Sequence, residues 1–214
     1  MQNSKLIGLL KSLDKIEIKR FVEFVSSPYF NKNSNVIKLA KYIVSCSGNY
    51  SSEKLDKETV YSKIFPGKRY NEKIMKNLMT SLMKSGERFL ELNRYERNDA
   101  GRYNNLLEEL LFRKQYSAFS SKIKEAESLS RTQKKDELYF YNNLNLFSIK
   151  HRFGLKKSSG LEKMESRLMQ PIEYLIGFFL IWYFKYNYNL LNAKIEYNFQ
   201  IDMDFIDKII DFIN

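Results

Sequence analysis

Between Lys73 and Arg94 the apolar side chains return every third or fourth residue, and this periodicity constrains the fold more than any other feature. Wound at ~100° per residue, Met75, Leu78, Met79, Leu82, Met83, Phe89 and Leu90 fall within ~140° of one another. Lys73, Lys76, Lys84 and Arg88 centre on the opposite side. Only a helix lying at a surface sorts its residues this way, with its Met-rich stripe turned inward. Methionine fills irregular gaps, so the stripe reads as core packing, with a partner-binding groove as the alternative. No segment alternates convincingly at the two-residue period of a strand. Only 8 Gly and 3 Pro occur in 214 residues, too few for the turns of a sandwich or barrel, while 43% hydrophobic residues suffice to close a core. The expected class is all-α.

Helix ends are written in capping chemistry. In Leu13-Asp14-Lys15-Ile16-Glu17-Ile18, Asp14 can accept from first-turn amides, Glu17 can reach back to it and Leu13 can staple onto Ile18, which starts a helix at Lys15. Leu55-Asp56-Lys57-Glu58-Thr59-Val60 repeats the staple and the cap. Ser27-Pro28 and Phe65-Pro66-Gly67 stop the two helices, because the residue before proline is pushed out of the helical region. New helical patterns begin near Val36 and Lys73, and the Tyr and Phe of each turn are expected to pack it onto the helices. From Asn98 onward the pattern predicts helices at about 100–114, 117–129, 134–152, 162–170, 172–192 and 203–213. Leu106, Leu107, Leu110 and Leu111 form one stripe, and Phe119, Ile123, Ala126 and Leu129 the next.

Short connections make such helices antiparallel neighbours, so the expected architecture is a helical N-terminal domain over 1–96 followed by antiparallel helical hairpins over 97–214. The stack is tetratricopeptide-like or α-solenoid-like in outline, although the Trp, Leu-Gly and Pro signature of the tetratricopeptide repeat is absent. The last predicted helix presents Ile201, Phe205, Ile206, Ile209, Ile210 and Phe212 with no polar cap after it. A solenoid leaves an apolar face open in that case, so the array is expected to be cut short at its C-terminal end or to self-associate there.

The formal charge is +11, and +9 of it falls within residues 1–95, which carry 18 basic and 9 acidic side chains. Lys68-Arg69-Tyr70-Asn71-Glu72-Lys73 follows a tight turn between two helices, where a helix-turn-helix places the start of its reading helix. Lys68, Arg69, Tyr70, Lys73, Lys76, Lys84 and Arg88 are therefore the candidate contacts to nucleic acid or to an acidic partner.

Catalytic kits are missing. His151, the single imidazole, lies in Lys150-His151-Arg152 and reads as an exposed surface residue; with one Cys and one His no zinc site closes. Asp202, Asp204 and Asp207 lack the spacing of a calcium loop and read better as helix caps. Glu108 and Glu109 diverge by ~100° on a helix, and Gly154 and Gly160 bracket a surface loop without phosphate-loop spacing. No cofactor is expected. The lone Cys46 points to a reducing compartment, and Leu6–Leu10 is too short an apolar run for a secretory leader, so the expected location is the cytoplasm. The most apolar window, Leu175 to Phe184, would rise only ~15 Å as a helix, half of a bilayer core, and is expected to be a buried helix rather than a membrane span.

At Ser27-Pro28-Tyr29-Phe30-Asn31-Lys32-Asn33 and Phe65-Pro66-Gly67-Lys68-Arg69-Tyr70-Asn71 the chain resembles a family of uncharacterised bacterial proteins that share S-P-Y-F-N-K-N and F-P-G-K-x-Y-N turns. The resemblance implies an all-helical remainder and a longer chain of which this is the N-terminal part, and it brings no activity. The expected function is non-enzymatic binding of a protein partner by a helical-repeat scaffold. The alternative is nucleic-acid binding through a helix-turn-helix-like basic front.

Overall fold

Asp14 caps its helix as its neighbours dictate. Its Oδ1 accepts from the amides of Ile16 and Glu17 at 2.7 and 2.8 Å, and Glu17 Oε2 accepts from the Asp14 amide at 3.1 Å, closing a capping box. In this computed structural model, which describes residues 1–46, 53–156, 162–197, 208 and 211, such caps open most of the helices. The described residues are all-helical, forming α1 (Lys5–Lys11), α2 (Lys15–Ser26), α3 (Ser34–Ser45), α4 (Lys57–Ile64), α5 (Glu72–Glu96), α6 (Asp99–Phe112), α7 (Tyr116–Thr132), α8 (Glu137–Lys156) and α9 (Glu162–Tyr197), with no strand among them. The chain divides into two compact units, Met1–Arg97 and Asn98–Asn214.

In the first unit α5 packs on α1, α2 and α3, and α4 packs on α3. Fully buried Ile7, Leu10, Phe21, Leu39, Ile43 and Met75 are among the residues that fill the centre. Phe21 meets Phe89 edge-on at 5.5 Å between ring centroids. Both turns end in an asparagine that caps the helix after it. Asn31 ties the first turn together by donating from Nδ2 to the Val25 carbonyl and accepting from the Asn33 amide, both at 2.9 Å; Asn33 then caps α3. In the second turn Gly67 takes φ +75°, a conformation that disfavours a side chain, and Asn71 Oδ1 accepts from the Ile74 amide at 3.0 Å. Phe30 packs on Phe24 at 4.3 Å, whereas Tyr29, expected to pack as well, is 88% exposed.

The inward face of α5 is narrower than its apolar stripe. Met75, Leu78, Leu82, Gly86, Phe89 and Asn93 are buried, within ~80° of one another at 100° per residue. Met79 and Met83 lie half-buried on its flank, and Leu90, expected inside, is exposed. Gly86 belongs to the face because α1 crosses there: a Cβ at residue 86 would sit 3.1 Å from Leu9 Cδ2.

In the second unit α6 pairs with α7, α8 packs on both, and α9 packs on α8; links of three and four residues join α6 to α7 and α7 to α8. Leu107, Leu111, Phe119, Ile123, Ala126, Leu146 and Ile149 make the core. Leu106, of the same predicted stripe as Leu107, is 41% exposed, since one residue further round the helix is a ~100° turn away from α7 and α8. An asparagine network fixes the register. Asn104 Nδ2 donates to the Asn142 carbonyl at 2.9 Å, Asn142 Nδ2 donates to Asn98 Oδ1 at 3.0 Å, and Ser130 Oγ donates to Asn143 Oδ1 at 2.5 Å. His151, expected at the surface, is half-buried, because α8 is flanked by α6 and α7 as well as by α9.

The expected break at Pro171 does not occur: α9 runs through it as one 36-residue helix. Proline removes a single rung of the hydrogen-bond ladder. Downstream, Tyr174 stacks on Phe147 at 5.2 Å, and Gly177 lies so close to Phe140 that a Cβ there would meet the ring at 2.3 Å. This packing on α8 holds the helix beyond the proline. The helix expected at 203–213, its apolar residues and Asp202, Asp204 and Asp207 lie outside the described residues, except that Lys208 and Asp211 are helical.

Candidate functional site

The residues singled out for charge separate into three settings. Lys68 and Arg69 stand exposed on the turn before α5; Lys68 Nζ lies 5.7 Å over the Phe65 ring, a cation–π contact that tethers the side chain to its own turn. Tyr70 faces inward: it meets Tyr61 edge-on at 5.3 Å and packs on the core, and burial pushes its phenol above the ordinary range. Lys73, Lys76, Lys84 and Arg88 project from the outer side of α5. Arg88 is held by Glu91 at 2.6 Å, one turn away.

The connection between α4 and α5 runs over residues 65–71, longer than the three or four residues of a helix-turn-helix, and α4 takes α3 as its packing partner. Lys68, Arg69, Lys73 and Lys76 therefore form a basic edge, and no carboxylate among the described residues pairs with them.

Beside that edge lies an open groove of about 530 Å³ between the first turn of α1, the start of α4 and α5. Met79 and Met83 line its apolar side, and Lys76 and Lys84 its rim. Lys57 reaches Glu72 across it at 3.5 Å. Asp56, the residue before Lys57, is held below the usual carboxylate range by the amides of Glu58 and Thr59 that it caps.

In the second unit a surface feature lies where the sequence pattern predicts burial. The window Leu175–Phe184 is not buried on both sides: Leu175 is 51% exposed, Ile176 52% and Phe179 44%. Tyr174, Phe178 and Gly177 take the side facing α8. On the outward side Ile172, Leu175, Ile176, Phe179, Tyr186 and Leu190, all exposed, fall within ~100° of one another, and no charged residue enters that sector between 172 and 190. At 1.5 Å per residue this uncharged stripe is ~27 Å long. Its signal in the sequence was the 3.6-residue period of these six side chains within a stretch apolar almost all round.

No group of three or more His, Cys, Asp or Glu that could hold a metal occurs among the described residues, and no helix among them is long and apolar enough to cross a membrane. The chain matches no family model, no curated protein and no solved structure.

Proposed function

We propose that the chain is a non-enzymatic scaffold that binds a protein partner on the outer faces of its helices, and that its second unit is a solenoid-like stack of helical hairpins working in the cytoplasm. We also assign it to the bacterial family whose two turn motifs it resembles. The observation that carries the functional reading is the uncharged outward stripe of α9. Single exposed apolar residues are ordinary, but a run of exposed apolar and aromatic side chains along one side of a helix with no charge among them is what interaction sites present. Phe179 and Tyr186 are rigid side chains of the kind that anchor interfaces.

The test is affinity purification of the protein from its own cells with and without nuclease, using the natural chain and Phe179→Glu. A partner that survives nuclease and is lost with Phe179→Glu supports the reading. A partner retained by that variant, or one that nuclease removes, overturns it.

A second reading, nucleic-acid binding, draws on the unpaired basic edge formed by Lys68, Arg69, Lys73 and Lys76. Salt separates the two, because each neutralised phosphate adds about 0.9 to the log–log slope of affinity against salt, whereas an apolar interface barely responds.

A further inference from the structure

We infer that the groove between α1, α4 and α5 is a docking site for an acidic amphipathic segment of another protein. It concerns the first unit and stands independently of the α9 stripe.

The floor of the groove is apolar. Met79 and Met83 are one helical turn apart, lie outside the buried face of α5 and present thioethers along one wall. Flexible, polarisable side chains so placed accept apolar partners of varied shape. A ligand carrying aliphatic or aromatic side chains at i and i+4 would seat on them as one helix seats on another.

The rim then selects charge. Lys5, Lys57, Lys76 and Lys84 line the groove against Glu72 and Glu87, and the Lys57–Glu72 pair satisfies itself. Three lysines therefore face the groove against one carboxylate, within a unit that is already strongly basic. Lys76 and Lys84 are eight residues apart on α5, ~12 Å along its axis, so a ligand helix with carboxylates two turns apart would meet both. From Glu72 to Glu87 the groove follows ~22 Å of α5, four turns of helix. It continues past Ser4, Lys57 and Met79 into a second open basin of about 540 Å³ beside Glu53 and Asp56. Nucleic acid would use the lysines but gain little from a thioether floor that offers no ring to stack on. The combination of apolar floor and basic rim fits an acidic peptide better.

The experiment uses the full chain as bait for a displayed library of random 16-residue peptides. The tightest peptide is then measured by fluorescence anisotropy. Recovered sequences are expected to be net acidic with apolar residues at i, i+4 spacing. Lys76→Glu with Lys84→Glu should weaken binding at least tenfold, and Met79→Glu should do the same. The pair Lys38→Glu with Lys41→Glu, an equal change of charge on exposed α3 positions, should weaken it less than threefold. Phe179→Glu, in the other unit, should leave it unchanged, which separates failure here from failure of the α9 reading. Circular dichroism checks that each variant is folded. Four results would overturn the inference: no recovered peptide, basic or neutral winners, acidic winners indifferent to Lys76 and Lys84, and displacement of the peptide by an equimolar thymidine 20-mer.

Discussion

Leu106 and Leu107 are adjacent, chemically identical and members of one sequence stripe, yet the fold gives them opposite surroundings. Leu107 is fully buried between α6, α7 and α8, whereas Leu106 is 41% exposed. Replacing either by alanine removes three carbons, at about 0.8 kcal/mol for each one wholly removed from water. For Leu107 the whole transfer term of about 2.4 kcal/mol is lost, and the enclosed void adds to it, giving about 3–5 kcal/mol. For Leu106 a little over half of that transfer term applies, and water fills the space, giving about 1–1.5 kcal/mol. With a urea dependence of about 1–1.5 kcal/mol per molar for a unit of this size, the two midpoints should differ by about 2 M, and by no less than about 1 M. Urea unfolding followed by the fluorescence of Trp182, the only tryptophan, reports on the same unit. Equal shifts for the two variants, or a larger one for Leu106→Ala, would refute the rotational setting of α6 and the packing built on it.

Asn142→Leu removes the donor that joins α8 to Asn98 at the start of α6, so it should cost about 1–3 kcal/mol in the same urea assay; an unchanged midpoint would contradict the network. Burial and a hydrogen bond with Tyr139 push the Tyr174 phenol up to about 12, against about 10 in an unfolded chain. The folded chain therefore keeps a proton that the unfolded chain releases, so this stabilisation is complete below pH 10 and is lost between pH 10 and about 12. Tyr174→Phe should flatten that alkaline decline in melting temperature, and an identical decline in the variant would count against it. Gly67→Ala forces a side chain into φ +75° and should cost about 1 kcal/mol, seen in calorimetry as a melting temperature a few degrees lower; no change would remove the reason for glycine there.

Helix starts were legible because a cap is local. Asp14, Asp56 and the amides they accept from lie within three residues, so the neighbouring letters suffice to predict the bond. Periodicity likewise pointed to the side of α5 that faces inward. It could not say where a buried face ends. Leu90 and Leu106 are as apolar as their buried neighbours Phe89 and Leu107, and only the placement of other helices leaves them outside. Leu175–Phe184 differs from its expected burial for the same reason: a segment apolar almost all round has no preferred side, and burial is decided by having α8 on one face. Asn104, Asn142 and Asn143 were missed because a polar residue in a stripe reads as an interruption, while here they bond across helices. The break between 170 and 172 does not form because contacts of Tyr174 and Gly177 with α8, which no local pattern displays, hold α9 together beyond Pro171.

In the proposed scaffold, α9 meets a partner through its outward stripe. The most direct measurement places a photo-crosslinking phenylalanine analogue at Phe179, and in a second protein at Phe112, an 80% exposed aromatic at the end of α6, followed by irradiation in the native cell. A discrete protein adduct is expected from position 179 and none from 112. Equal adducts from both positions, or none from 179, would contradict it.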